Sequence, residues 1–182
     1  MKKLNYLMTI LSLILIGCGN PKSNENKTTD NIRIKEFQSV IPEKLEKYLK
    51  VELPAFQIAT QDKYVSGWKE FTEPSIIPYY CSSDFNGDGK IDYSLVLTNE
   101  NNVYLFAFLS SENSFTSSPI DTFHYSPKGV DAIISITKKG EYEMIDETVK
   151  IPFDGISIQL ILDSKEWTYY WDGKNFKRLL FD

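Results

Sequence analysis

Asp84-Phe85-Asn86-Gly87-Asp88-Gly89-Lys90-Ile91-Asp92 places three carboxylates within nine residues and interrupts two strand-like segments, 76–82 and 93–98. Such residues also favour a plain turn with no ion, but crowded acids repel one another without a cation among them. The spacing D-x-N-x-D-G-x-x-D points to calcium, which takes about six to eight oxygens at about 2.3–2.6 Å. Asp84, Asn86 and Asp88 alternate and can converge on one ion. Lys90 would offer its backbone carbonyl, and Asp92 would contribute directly or through water. Gly89 falls where the chain must turn with positive φ. Ile91 is expected to point away from the ion and pin the loop to the core. Magnesium fits less well, because it demands tighter octahedral geometry and retains its waters.

An EF-hand would need a bidentate Glu at loop position 12 and helices on both sides. Leu95 stands at that position, and the flanks are β-like. The stretch instead resembles the strand–loop–strand calcium loops of FG-GAP and VCBS-type repeats, from Tyr79 to Val103. The resemblance implies Asp84, Asn86, Asp88 and Asp92 as side-chain ligands, Lys90 as a carbonyl ligand, and structural calcium as the cofactor. One copy is present where those repeats occur in series. No repeat with a period of tens of residues runs through the chain, so a propeller cannot be built from it alone. From Asp84 to Asp182 the chain is also similar to small exported bacterial proteins of uncharacterised activity. These combine one such loop with a terminal Y-x-W-D-G-x-x-F hairpin, here Tyr169 to Phe176.

The start of the chain speaks to location. Lys2 and Lys3 precede an apolar run from Leu7 to Ile16, followed by Gly17 and Cys18. This resembles a bacterial lipoprotein signal peptide, with Leu15-Ile16-Gly17-Cys18 as its lipobox. The implied mature protein begins at Cys18, which carries the lipid anchor. The apolar run falls short of the roughly 20 residues that span a bilayer. Acyl chains on Cys18 suffice for stable anchoring, at about 0.8 kcal/mol per buried methylene. Gly19 follows the cysteine, where an Asp would resemble an inner-membrane retention signal. The expected location is therefore the bacterial cell envelope, on the outer membrane in a diderm host.

Three regions follow: a signal peptide at 1–17, the lipidated cysteine with a polar flexible tether at 18–31, and one domain at 32–182. The full chain has a formal charge of −5, and loss of Lys2 and Lys3 makes the balance more acidic. That argues against nucleic acid or anionic lipid as a partner. With Cys18 consumed by lipid, Cys81 has no disulfide partner and is expected to be a buried thiol. His124, the single histidine, excludes multi-histidine zinc sites.

The domain is expected to be α+β: an N-terminal helical segment, then an antiparallel β-meander carrying the strand–calcium loop–strand unit. Ser39 to Lys50 reads as a helix with Pro42 in its first turn and Leu45, Tyr48 and Leu49 on one face. Residues 62–71 suggest a further helical turn or two. Residues 92–98 alternate, with Tyr93, Leu95 and Leu97 on one face. Residues 103–109 are apolar throughout and predict a central strand covered on both faces. Residues 114–125 and 130–137 predict two more strands, and 156–162 predict a half-buried one. Asp172-Gly173 between aromatic segments 167–171 and 176–181 predicts a tight hairpin with positive φ at both turn residues.

Two further clusters invite function. Glu141, Glu143, Asp146 and Glu147 are expected on a solvated loop. Trp167, Tyr169, Tyr170, Trp171 and Phe176 could stack on a sugar or peptide, although alternation sends about half of any such run into the core. No Ser or Cys sits in a nucleophile motif. The expected role is therefore non-enzymatic: binding an envelope protein or an extracellular ligand from a membrane anchor. The alternatives are a glycosidase-like envelope hydrolase, using acids such as Asp131 or Glu147, and a structural envelope protein.

Overall fold

In the computed structural model, residues 41–100, 102–145 and 147–180 are described. The signal peptide, Cys18, the tether, residues 39–40, Asp146 and Phe181 lie outside them. Among the described residues the chain forms mostly antiparallel β-sheet with one short helix ahead of it, the α+β class expected.

Helix α1 spans Glu43–Glu52. Pro42 stands just before it as the N-cap, not inside the first turn, and its carbonyl accepts the N–H groups of Leu45 and Glu46. Glu43 and Lys47 form the expected i,i+4 pair at 2.8 Å. Leu45 and Leu49 are buried. Two 3-10 turns follow the two-residue strand β1 (Gln57–Ile58), at Gln61–Lys63 and Trp68–Phe71.

The strands are β2 (Tyr80–Ser83), β3 (Asp92–Asn99), β4 (Asn102–Ser110), β5 (Phe115–His124), β6 (Ala132–Thr137), β7 (Gly140–Glu143), β8 (Thr148–Ile151), β9 (Gly155–Leu160), β10 (Lys165–Trp171) and β11 (Phe176–Leu180). They do not make one meander. A first sheet runs β1-β3-β4-β5, with β2 sharing the β3 edge that β1 uses. A second runs β11-β10-β9-β6, and β7–β8 is a separate hairpin. Strand β5 ends the first sheet for a local reason. Pro119 has no N–H to donate, which restricts it to edges and bulges, and the pairing with β4 shifts between Leu105 and Phe106 there.

That bulge decides what β5 faces. Before it, Thr116 and Ser118 pair with Leu109 and Ala107; after it, Asp121 and Phe123 pair with Leu105 and Val103. Directly paired residues share a face, so Thr116, Ser118, Asp121 and Phe123 all lie on one side. The second sheet covers that side: Phe123 meets Trp167, with ring centroids 6.0 Å apart. The Tyr169 hydroxyl donates to the Asp121 carboxylate. Helix α1 covers the other side. Tyr48 packs edge-on against Phe108 and Phe115, and its hydroxyl bonds that of Ser117.

This layering buries β3 on both faces. Val96 is as buried as Leu95 and Leu97, where alternation alone predicts only Tyr93, Leu95 and Leu97 inside. Strand β4 is the covered central strand expected. Strand β9 stops at Leu160, and Leu162 is exposed in the following turn, where Ser164 has φ 51°. The terminal hairpin forms where expected, but Trp171 pairs with Phe176, so four residues connect the strands. Only Gly173 takes positive φ, at 96°. Asp172 closes the turn by accepting the N–H groups of Lys174 and Asn175.

Candidate functional site

The Asp-rich loop links β2 to β3 and folds around the Asp84 carboxylate. One oxygen of Asp84 accepts the N–H groups of Gly87 at 2.7 Å and Asp88 at 3.1 Å, and the other accepts that of Gly89 at 2.9 Å. The Asn86 side-chain oxygen accepts the Asp88 N–H at 3.0 Å. Asp88 accepts the Lys90 N–H at 2.9 Å, and the Lys90 ammonium lies 3.5 Å from its second oxygen. The Lys90 backbone bond, with the nearby ammonium, holds the Asp88 carboxyl below its usual range. Gly87 and Gly89 have φ of 77° and 80°, the left-handed conformation that glycine adopts freely. Gly87 has a second constraint: a Cβ there would lie 2.0 Å from the Phe153 ring.

Asp92 sits apart from these three. It is fully buried; one oxygen accepts the Phe85 N–H at 3.0 Å and the other the Ser110 N–H at 2.7 Å. Burial raises its carboxyl above the usual range, against the pull of those two bonds. Asp92 thus ties the start of the loop to the end of β4. The residue that pins the loop is Phe85, with no exposure, whereas Ile91 is 54% exposed. The expectation for Ile91 is reversed. Alternation into β3 puts Asp92 inward and sends its neighbour outward.

The donor chemistry of Asp84, Asn86 and Asp88 suits a hard cation. A carboxylate has about four acceptor positions, so the internal bonds leave oxygen capacity on Asp88 and Asn86. The arrangement supplies fewer protein oxygens than calcium takes, and water would complete the shell. Among the described residues, no three of His, Cys, Asp and Glu are grouped as a ready-made metal cluster.

The turn after β8 braces the same loop. Phe153 packs over Gly87, and Asp154 accepts a hydrogen bond from Ser83 at 2.7 Å, at the end of β2. Asp154 also accepts the Lys139 N–H and pairs with the Lys138 ammonium at 2.9 Å. Burial pushes its carboxyl up, but these bonds outweigh burial and hold it below the usual range.

Cys81 is buried in the core, and burial pushes its thiol up to about 12, against a hydrogen bond with Ser94; such a thiol is not a nucleophile near neutral pH. His124 is an exposed residue at the end of β5. Glu141 and Glu143 are on strand β7 and Glu147 is on its connection to β8, all exposed, so a hairpin stands where a solvated loop was expected. Asp131 precedes β6, and burial raises its carboxyl.

The aromatic run divides as alternation requires. Trp167 and Tyr169 are core residues, while Trp171 and Phe176 are half-buried at the hairpin end. Burial and Asp121 push the Tyr169 phenol up to about 12. Beyond the Phe123–Trp167 and Asp121–Tyr169 contacts, a cleft of about 360 Å³ opens between β4–β5 and the β10–β11 hairpin. Trp171 and Phe176 form one wall, with ring centroids 5.2 Å apart and planes at 68°. Leu109 and Ile120 line the opposite wall, with Thr116, Ser118, Lys174 and Asn175 at the rim. The cleft was not legible in the sequence. Its local trace is Pro119, which marks the bulge that puts Asp121 and Phe123 on the same face as Thr116 and Ser118.

No family model matches this chain, and no curated protein or solved structure is significantly similar to it.

Proposed function

We propose that the chain is a membrane-anchored, extracytoplasmic binding domain and not an enzyme. The observation that carries this reading is the cleft between the two sheets, with its paired aromatic wall and a polar rim that includes one cation, Lys174. Binding sites of this kind combine apolar walls with a few placed polar groups. The lipobox-like segment ending in Cys18 supports the location. The hydrolase alternative draws less support, because among the described residues the cleft lining carries Lys174 and no carboxylate. A glycosidase needs two acids flanking the scissile bond. Crosslinking in intact cells, followed by capture of the chain, tests the reading. A partner or ligand captured with the unmutated chain should be lost with Trp171→Ala and retained with His124→Ala. Equal capture by both variants would remove the cleft from the function.

Calcium is proposed as a stabiliser of the β2–β3 loop, held by Asp84, Asn86 and Asp88, in keeping with the FG-GAP-like pattern. The ion would neutralise carboxylates that the loop brings together. Extracellular calcium modules bind at about 10⁻⁴ to 10⁻³ M. At about 10⁻⁴ M, in millimolar calcium, binding to the native state adds about 1.4 kcal/mol. That corresponds to about 3–6 °C in melting temperature for a domain of this size. Thermal unfolding with calcium and with EGTA should show this rise, and Asp88→Ala should abolish it. Superimposable curves for the unmutated protein would leave the loop as a self-bonded Asp/Asn turn.

A further inference from the structure

We propose that the cleft between β5 and the β10–β11 hairpin takes a sugar ring bearing a carboxylate, a proposal that rests on the binding reading above. Three observations select that class. The first is the aromatic wall. Trp171 and Phe176 are half-buried, so each keeps part of its ring open to the cleft. An indole that lines the cleft can take the C–H face of a sugar ring, and the T-shaped contact with Phe176 holds the indole in place.

The second is the rim. Thr116 and Ser118 project from β5 on the side that faces the hairpin, and both are exposed. Apart from one long contact of Ser118 with the Pro119 carbonyl, at 3.4 Å, their hydroxyls have no hydrogen-bond partner among the described residues. Asn175 uses its backbone in the turn, and its side-chain amide has no hydrogen-bond partner among the described residues. Two hydroxyls and an amide supply donors and acceptors together. That mixture matches the hydroxyls of a sugar, which are donors and acceptors at once, better than it matches an aliphatic ligand.

The third is charge. Among the described residues, Lys174 is the one charged residue of the lining. The nearest turn carboxylate, Asp172, already accepts the Lys174 and Asn175 N–H groups and lies 3.7 Å from the Lys177 ammonium. The Lys174 ammonium therefore has no carboxylate partner among the described residues. An exposed cation beside a pocket without acids favours an anionic substituent on the ligand. At about 360 Å³ the cleft is at the small end of ligand pockets and would hold a short segment of a chain, not enclose a polymer.

Titration calorimetry of the full chain in detergent micelles tests this with a panel of hexuronate trisaccharides and their neutral hexose counterparts. At least one hexuronate should bind at least tenfold more tightly than its neutral counterpart. Lys174→Gln should erase that preference and leave binding at the neutral level. Trp171→Ala should weaken the acidic sugar at least tenfold, and Trp171→Phe should recover part of the loss. Thermal unfolding of each variant checks that the fold persists, which the half-buried position of Trp171 favours. No hexuronate binding across the panel, or binding that neither substitution changes, would overturn the proposal. If hexuronates fail but the cellular capture above is lost with Trp171→Ala, the ligand class is wrong and the binding reading stands. If both fail, the cleft has no binding role.

Discussion

Asp92→Ala is expected to cost about 2–5 kcal/mol of stability, because it strips one buried and one part-buried N–H group of their shared acceptor. Phe85 and Ser110 donate to the two oxygens of this carboxylate, and the residue has no exposure. An orphaned buried donor costs about 1–3 kcal/mol. Asp92→Asn should fall between the two proteins. Its amide keeps one acceptor and turns an NH2 toward the other donor, so one bond survives and one is replaced by a repulsive contact. Urea unfolding of the three proteins measures this. A loss under about 0.5 kcal/mol for Asp92→Ala, the range of ordinary surface changes, would show that the carboxylate does not clasp the loop. Acidity adds a signature. The folded carboxyl lies above its unfolded value of about 3.9, so the folded state holds this proton more tightly. Its contribution is largest below the unfolded value and declines as pH rises through the raised folded value. Asp154 has the opposite sign: its folded value is depressed, so its contribution is present at neutral pH and declines as pH falls through that value.

Phe85→Ala should cost about 3–5 kcal/mol, the usual range for emptying a fully buried aromatic site. Ile91→Ala, six residues on in the same loop, should change stability by no more than about 0.5 kcal/mol. The two substitutions remove apolar side chains from opposite ends of one loop, so comparing them separates burial from sequence hydrophobicity. Phe85 has no exposure and belongs to the core cluster, while Ile91 is more than half exposed. The calcium dependence should also weaken in Phe85→Ala, since the loop that presents Asp84, Asn86 and Asp88 loses its anchor. Thermal unfolding in calcium and in EGTA reads both effects. A larger loss from Ile91→Ala than from Phe85→Ala would reverse the assignment.

The sequence by itself determined the features whose causes are local. Gly87, Gly89, Asp84 and Asn86 specify a turn that closes within a few residues, so the loop was visible from its residues alone. The apolar stripe of Leu45, Tyr48 and Leu49 determined the helix, and the aromatic alternation around Asp172-Gly173 determined the terminal hairpin. Its four-residue connection was less legible, because Asp172 can stabilise a wider turn through its own side chain. Only the tertiary structure decided what each face meets. Strand β3 reads as one-sided, yet α1 and the second sheet cover both its faces. Asp92 reads as an ion ligand, and only the fold shows that its two oxygens also accept the N–H groups of Phe85 and of Ser110, eighteen positions away. The cleft depends on a bulge that re-aims β5 and on a hairpin more than fifty residues further along the chain. Hydrogen bonds within a turn and alternation within a strand are set by neighbours in sequence. Burial of a face, and the space left between two sheets, are set by which distant strands pack together.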